Sequence, residues 1–207
     1  MNKMERNIMV VNVDKLFENY PRQTWFYTSE FNFEDIILKN FEYMKRGLAE
    51  EDVNYKQPLP YGILRTKDGR LFMYQRWGKN SEVWEARLYD KVSFGVGGHI
   101  EEDVKNAENP LLETLLREIE EEVGITTSDI ERVELIGYIN DDINDVGKVH
   151  LGLAYVVDLK TDDVKIDKGE LASGKFVTLQ EAKEILQNPE IDVEPWSRIV
   201  LEVVLDE

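Results

Sequence analysis

Three glutamates in the middle of the chain have the spacing of a metal site. Glu121 lies three positions after Glu118, and Glu122 follows it directly. On an α-helix their side chains therefore occupy one arc of the surface. Like charges this close on a helix repel one another and destabilise it. A hard divalent cation such as Mg²⁺ or Mn²⁺ removes that repulsion, because such ions prefer carboxylate oxygens. The pattern indicates either a metal-binding helix or, more simply, a solvated acidic face.

Sequence signals delimit this helix at both ends. Asn109 is a preferred N-cap residue and Pro110 suits the first helical position. Gly124 suits the left-handed position that follows a helix C-terminus. Glu120 is predicted to face solvent. A core-facing stripe is predicted beside the acidic arc, formed by Leu112, Leu115, Leu116, Ile119 and Val123.

The segment 97–125 resembles the Nudix box. Its second half, R-E-I-E-E-E-V-G-I from Arg117 to Ile125, fills the family pattern Arg-Glu-aliphatic-x-Glu-Glu-x-Gly-aliphatic. Its first half begins with G-G-H-I-E at Gly97, but the distance from Gly98 to Arg117 is five residues longer than in the pattern. We therefore predict an insertion around residues 103–108. Asn109 stands where the family has its first box glutamate, and three neighbouring acids are alternatives for that role: Glu101, Glu102 and Glu108.

The resemblance implies a fold and a reaction. The expected fold is α+β, an α/β/α sandwich in which a mixed β-sheet lies between helices. The expected reaction is hydrolysis of a diphosphate linkage in a nucleoside diphosphate joined to another group. The implied cofactor is Mg²⁺ or Mn²⁺, with metal ligands at Glu118, Glu121, Glu122 and Gly98. The residues expected to be catalytic are Glu121, Glu122, Glu170 and Arg117, with Arg117 orienting the carboxylates.

Substrate contacts are predicted outside the acidic segment. Gly97 and Gly98 would allow the backbone to approach the metal and phosphates closely. Arg65 and Arg76, on or near early strands, are candidates for binding phosphate, although each is also compatible with an ordinary surface charge. The general base is left open between Glu122 and Glu170.

Composition limits the possible partners and location. The net charge is −17, from 42 acidic and 25 basic residues. This argues against nucleic acid or an anionic membrane surface as a partner, because phosphate contacts need clustered Lys and Arg. No run approaches the roughly 18 apolar residues of a membrane span. With no cysteine, disulfides and thiolate chemistry are excluded, and we expect a cytoplasmic protein.

The order of hydrophobic patterns predicts two regions. Residues 1–55 are predicted to be an extension with a strand at Ile8–Val13, an aromatic-rich segment and a helix over Phe33–Leu48. The aromatic side chains suit core packing or a homodimer face. Residues 56–207 are predicted to be the catalytic domain, with a hairpin at Lys67-Asp68-Gly69. Later strands are predicted at Lys91–Val96, Ile130–Asn140 and Val149–Leu159, and later helices at Leu179–Leu186 and Trp196–Leu205.

Two other functions compete with hydrolysis. A non-catalytic Nudix-like module would bind a nucleotide or a protein without cleaving it, and the missing box glutamate favours this alternative. The intact acidic cluster opposes it. Isopentenyl diphosphate isomerase has a related fold, but its mechanism resembles one that needs a catalytic cysteine, which this chain lacks. The identity of the nucleotide substrate is left open.

Overall fold

The computed structural model describes residues 2–76, 91–167 and 171–205. The strands in these ranges are β1 Asn7–Asn12, β2 Trp25–Thr28, β3 Phe41–Lys45, β4 Tyr55–Thr66, β5 Leu71–Arg76, β6 Val92–Ser93, β7 Gly95–Val96, β8 Ile130–Asn140, β9 His150–Leu159 and β10 Leu171–Val177. The α-helices are α1 Val13–Leu16, α2 Phe33–Asn40, α3 Arg46–Ala49, α4 Pro110–Val123, α5 Asp145–Lys148, α6 Leu179–Gln187 and α7 Pro195–Val204.

Paired strands follow the order β10-β5-β4-β9-β8-β2, with β1, β3, β6 and β7 attached to this path. Chain contacts define two compact units. The first comprises Met1–Tyr61, Gly97–Leu115 and Leu135–Tyr155, and the second comprises Gly62–Val96, Leu116–Glu134 and Val156–Glu207. No helix within the described ranges is both long enough and apolar enough to span a membrane. The combination of a multi-stranded sheet with helices confirms the expected mixed fold class.

In the first unit, β1 lies between β3 and β4. It pairs antiparallel with β3 from Asn7↔Lys45 to Val11↔Phe41, and with the start of β4 at Val11↔Lys56. An aromatic cluster packs nearby, with Tyr27 and Phe33 fully buried and their ring centroids 5.0 Å apart. The predicted aromatic segment therefore contributes to packing within the first unit.

In the second unit, β5 is the central strand. It pairs antiparallel with β10 and β6, while the end of β4 pairs with β5 and β7. Helix α7 packs through a buried apolar face, and its Ser197 hydroxyl accepts a hydrogen bond from the Phe94 amide at 2.9 Å. This contact fixes the short strands β6 and β7 against the helix.

Most predicted elements are present, but the helix predicted over Phe33–Leu48 is wrong. Helix α2 ends at Asn40, and Phe41 has extended dihedrals, with φ −70° and ψ 155°. Residues 41–45 form β3 because they pair with β1, and α3 follows at once. Backbone pairing with a distant strand overrides the helical spacing here. The sequence also predicts a polar connection over residues 77–86, and this segment lies outside the described residues.

Candidate functional site

Helix α4 carries the acidic residues and is bounded as the sequence predicts. The Asn109 side-chain oxygen accepts hydrogen bonds from the amides of Leu111 and Leu112, at 3.0 and 3.1 Å. Gly124 ends the helix with φ +68°, a conformation that glycine adopts without steric cost. A Cβ at Gly124 would also lie 3.0 Å from the Cβ of Lys165. These local signals position the helix and its carboxylates.

The three glutamates differ in burial. Glu122 is buried at 6% exposure, the Glu118 side chain is 18% exposed, and Glu121 is exposed. The buried face of α4 is slightly rotated from the predicted stripe: Leu112 and Leu116 are only half-buried. The buried residues of α4 are Pro110, Leu111, Thr114, Leu115, Ile119, Glu122 and Val123. The acidic arc thus runs from the core edge out to solvent.

Arg117 contacts the acidic arc directly. Its Nη2 donates to Glu118 Oε1 at 3.0 Å, and the two side chains are 25% and 18% exposed. The guanidinium thereby partly offsets the repulsion among the three carboxylates and restricts the rotamer of Glu118. The predicted orienting role of Arg117 has this contact as its physical basis.

The buried carboxylate of Glu122 lies near a polar group on β5. Burial raises the pKa of Tyr74 above its ordinary value, Glu122 and Glu194 raise it further, and Arg76 opposes them. The Tyr74 hydroxyl donates to the Gly95 carbonyl at 2.8 Å and accepts from Arg76 Nη2 at 3.0 Å. The second unit therefore brings Glu122 and Arg76 into one electrostatic neighbourhood, together with Tyr74 and Glu194. Nothing in the spacing of Tyr74 and Glu194 along the sequence predicts that they lie near Glu122.

Arg65, the other predicted phosphate ligand, binds an acid of its own unit. Its Nε and Nη2 donate to the two oxygens of Asp158, at 2.7 and 3.3 Å. Asp158 also accepts from Arg132 Nε at 3.3 Å. To hold a phosphate, Arg65 would have to exchange this two-point contact.

The C-terminal end of α4 also holds the segment that leads to Glu170. The Lys165 amide donates to the Val123 carbonyl and the Asp167 amide to the Glu122 carbonyl, each at 2.8 Å. These bonds satisfy carbonyls that a helix end leaves open. Glu170, the candidate base, lies outside the described residues.

The Gly-Gly segment belongs to the first unit. A Cβ at Gly97 would lie 1.8 Å from the Pro60 carbonyl oxygen, so packing against β4 by itself requires glycine there. Gly98, the predicted backbone metal ligand, is half-buried. The predicted roles of these glycines toward substrate and metal stay predictions.

Around the insertion, two of the three acids proposed to replace the missing box glutamate have other partners. Glu101 pairs with Arg6 at 2.6 Å, and Glu102 accepts from Asn7 at 2.8 Å. The amide nitrogen of Asn109 donates to Glu34 at 2.8 Å. The position where the family has a glutamate therefore serves as a helix cap and a link to α2.

A second group of potential metal ligands lies in the first unit. Glu50, His99 and His150 have ligand atoms within 4.8 Å of one another. From its position at the start of the strand predicted at Val149–Leu159, the sequence favours a structural role over a catalytic one for His150, and it gives no signal for Glu50. The signal that could have drawn attention to them is that His99 and His150 are the two histidines of the whole chain.

Comparison with known proteins supports the resemblance of residues 97–125 to the Nudix box. The family profile of the NUDIX domain matches residues 57–198. Protein YmaB of Bacillus subtilis (strain 168) is 34% identical over 212 residues, covering 99% of this chain and all of that protein. The structure of Tm1382, described as a candidate Nudix hydrolase, is 25% identical, with a TM-score of 0.78 and coverage of 97% and 98%. The NUDIX domain of Shewanella oneidensis NrtR, solved with ADP ribose, shares the fold at 14% identity, a TM-score of 0.53 and coverage of 71% and 84%. The chain therefore belongs to the Nudix family.

Proposed function

We propose that the protein is a Mg²⁺- or Mn²⁺-dependent hydrolase of a diphosphate linkage in a nucleoside diphosphate joined to another group. The observation that carries this proposal is the graded acidic arc of α4, with Glu122 buried beside Tyr74 and Arg76 and with Glu118 held by Arg117. A merely solvated acidic face would not bring one of its carboxylates into the core.

The donor set of the arc fits a hard divalent cation. Glu118, Glu121 and Glu122 offer carboxylate oxygens from successive turns, and oxygen donors are what Mg²⁺ and Mn²⁺ prefer. Such an ion, when bound, offsets charge on the phosphate oxygens and lowers the pKa of a bound water. The helix therefore supplies ligands suited to the cofactor that the Nudix resemblance implies.

The remaining roles follow from position and charge. Arg117 restrains Glu118, so that less ordering of the carboxylate is needed when the substrate binds. Arg76 donates to the Tyr74 hydroxyl and lowers the pKa of Tyr74, which Glu122 raises, and we assign Arg76 to a phosphate oxygen. Glu122 or Glu170 would accept the proton of the attacking water. Positioning and charge stabilisation account for most of the catalysis of phosphoryl-type transfer.

The decisive experiment compares two neighbouring charge-removing variants on α4. Glu121→Gln removes a proposed metal ligand, so we expect kcat/KM to fall by more than ~100-fold. Glu120→Gln removes an exposed charge from the next position and should change kcat/KM less than about two-fold. The substrates to test are ADP-ribose, sugar nucleotides, dinucleotide polyphosphates and oxidised nucleotides, each with Mg²⁺ and with Mn²⁺.

Chelation provides the complementary control. Activity should disappear with EDTA and return when Mg²⁺ or Mn²⁺ is added in excess. Hydrolysis that persists in EDTA, or equally in the Glu121→Gln variant, would exclude the proposed mechanism while leaving the family membership intact.

A second function is favoured by one specific observation. Asn109 stands in place of the first box glutamate. Its side-chain oxygen caps α4, and its side-chain nitrogen donates to Glu34. A module that binds a nucleotide without cleaving it would tolerate this change. Calorimetry with ADP-ribose or NAD in the presence of Mg²⁺, followed by product analysis of the same sample, distinguishes the two. Binding without turnover across the substrate set would favour the non-catalytic module.

A further inference from the structure

The two histidines of the chain face each other in the first unit. His99 Nε2 and His150 Nε2 are 3.4 Å apart, and Glu50 Oε1 lies 3.9 Å from His99 Nε2. His150 is 2% exposed, and the side chains of His99 and Glu50 are 15% and 12% exposed. Three side chains with metal-binding atoms thus converge from positions 50, 99 and 150 of the sequence.

The hydrogen bond of His150 presents its other ring nitrogen as a ligand. His150 Nδ1 is 2.6 Å from the Val146 carbonyl oxygen, which only accepts, so Nδ1 carries the proton. In the neutral ring, Nε2 then has the free electron pair. A backbone carbonyl that accepts from the second ring nitrogen is the usual support of a metal-binding histidine. His150 is therefore oriented as a ligand before any ion binds.

His99 is also held neutral, but its proton lies on the other ring nitrogen, Nε2. Burial lowers the pKa of His99 well below its ordinary value, and Arg46, His150 and Lys3 lower it further. The Gln57 amide oxygen and the lone pair of His150 Nε2 both accept from His99 Nε2, so the His99 proton has to move from Nε2 to Nδ1 before Nε2 can bind a cation. No imidazolium has to lose its proton to the solvent when the ion enters.

The separations match four-coordinate geometry. With metal–nitrogen distances of about 2.0–2.1 Å, two ligands of a tetrahedral ion lie ~3.3–3.4 Å apart. The two histidine nitrogens are already at 3.4 Å, whereas Glu50 Oε1 is 3.9 Å from His99 Nε2 and within 4.8 Å of His150, so the carboxylate has to move inward to reach the same spacing. Gln57 Oε1, 3.0 Å from His99 Nε2 on a fully buried side chain, is placed to be a fourth ligand.

We propose that Glu50, His99 and His150, with Gln57, form a site for a borderline transition-metal cation such as Zn²⁺. Two imidazoles select such an ion over Mg²⁺, which prefers an all-oxygen octahedral shell. The ion would tie together the end of α3, the segment after β7 and the start of β9. With four protein ligands the site is closed and structural. The site uses none of the carboxylates of the acidic arc, and the proposal does not depend on the proposed hydrolase activity.

An ion in this site would replace some of the hydrogen bonds that Glu50 and His99 now make. Arg46 Nε contacts Glu50 Oε1 at 3.2 Å, and it would keep the carboxylate oriented while its charge reduces the affinity for a cation. The contacts of His99 Nε2 with Gln57 and His150 would be exchanged for bonds to the ion. The proposal rests on the convergence of the four side chains, which these contacts maintain.

Metal titration of matched variants tests the site. The chain is prepared without a histidine tag and with Glu121→Gln, which weakens ion binding on α4. We expect one equivalent of Zn²⁺ to bind and to raise the melting temperature, and Co²⁺ to give the strong visible absorption of a four-coordinate ion. His99→Gln and His150→Gln should each weaken binding at least about ten-fold, whereas Glu51→Gln, at an exposed neighbouring acid, should bind unchanged.

Histidine NMR supplies a readout that needs no variant at this site. Because the chain has two histidines, ¹⁵N spectra contain two imidazole rings, and Zn²⁺ should shift the Nε2 signals of both, with the proton of each ring on Nδ1 in the bound state. Unshifted ring nitrogens at one equivalent of Zn²⁺, or Co²⁺ absorption that persists in a folded His99→Gln variant, would overturn the proposal. Neither outcome bears on hydrolysis by the acidic arc.

Discussion

At the scale of single residues, Lys56 brings a positive charge into the core of the first unit. It is fully buried, and its Nζ donates to Asp142 Oδ1 at 2.8 Å and to the Gly147 carbonyl at 2.6 Å. Burial lowers the pKa of Lys56 to about 8, against the pull of Asp142. Asp142 also accepts two hydrogen bonds from Arg22. The ammonium is tolerated in the core because these oxygens surround it.

We expect Asp142→Asn to lower the free energy of unfolding at pH 7 by about 3–5 kcal/mol, because it leaves the buried ammonium without its counter-charge. Urea denaturation measures this change. The double variant Lys56→Met/Asp142→Asn should recover much of the loss, since it removes both charges. Asp163→Asn, at an exposed aspartate after β9, is the matched control and should change stability by less than about 0.5 kcal/mol.

The same pair predicts a pH dependence. Burial alone would raise the pKa of Asp142, but hydrogen bonds from Arg22 and Lys56 hold it below its usual range. A depressed folded-state pKa contributes stability that is present above the unfolded value of about 3.9 and is lost as the pH falls below it. The stability gap between wild type and Asp142→Asn should therefore narrow as the pH is lowered from 6 to 3. A constant gap would show that the carboxylate charge is not the cause.

At the scale of elements, the sequence predicted best where the determinants are local. Helix α4 was predicted from Asn109, Pro110 and Gly124, and each of its boundary signals lies within the segment itself. Strand β3 was missed because its identity depends on pairing with β1, more than thirty residues earlier in the chain. The spacing of apolar residues over Phe33–Leu48 contains no information about that pairing. Residue spacing therefore predicts a helix whose capping residues lie in the same segment. It does not predict a strand that forms by pairing with a distant segment.

The close approach of Gly97 to β4 is a packing requirement that can be tested at this scale. Gly97→Ala should lower the free energy of unfolding by at least about 2 kcal/mol, because its Cβ would lie 1.8 Å from the Pro60 carbonyl oxygen and the backbone must move. Gly47→Ala, within α3, places its Cβ at a tolerable 3.3 Å from the Met4 carbonyl oxygen. Alanine also favours the helix there, so this control should cost less than about 1 kcal/mol. Equal stability of Gly97→Ala and wild type would contradict the packing explanation.

At the scale of the whole molecule, the sequence located the acidic arc of α4 but not the residues that the fold brings near it, and it did not locate the group of Glu50, His99 and His150. The acidic arc of α4 was predicted because its residues are adjacent in the chain. Tyr74 and Glu194 were not predicted to lie near Glu122, because 48 or more residues separate each from it. Glu50 was missed for the same reason. Spacing along one helix is visible in a single sequence, whereas proximity created by sheet topology is not.

The division of the chain at residue 55 is a prediction about folding that a truncation can test. Ile8, Val10 and Val11 on β1 are at most 1% exposed, and β1 contributes a backbone bond from the Met9 amide to the Ile100 carbonyl at 2.7 Å. A fragment of residues 56–207 would lose this strand and expose the apolar surface that it covers in the first unit. We expect the fragment to lack cooperative thermal unfolding and a native near-ultraviolet circular dichroism spectrum, because burial of that surface is a main source of stability. If the fragment melts cooperatively, residues 1–55 are an accessory extension, and the hydrolase proposed for residues 56–207 folds without them.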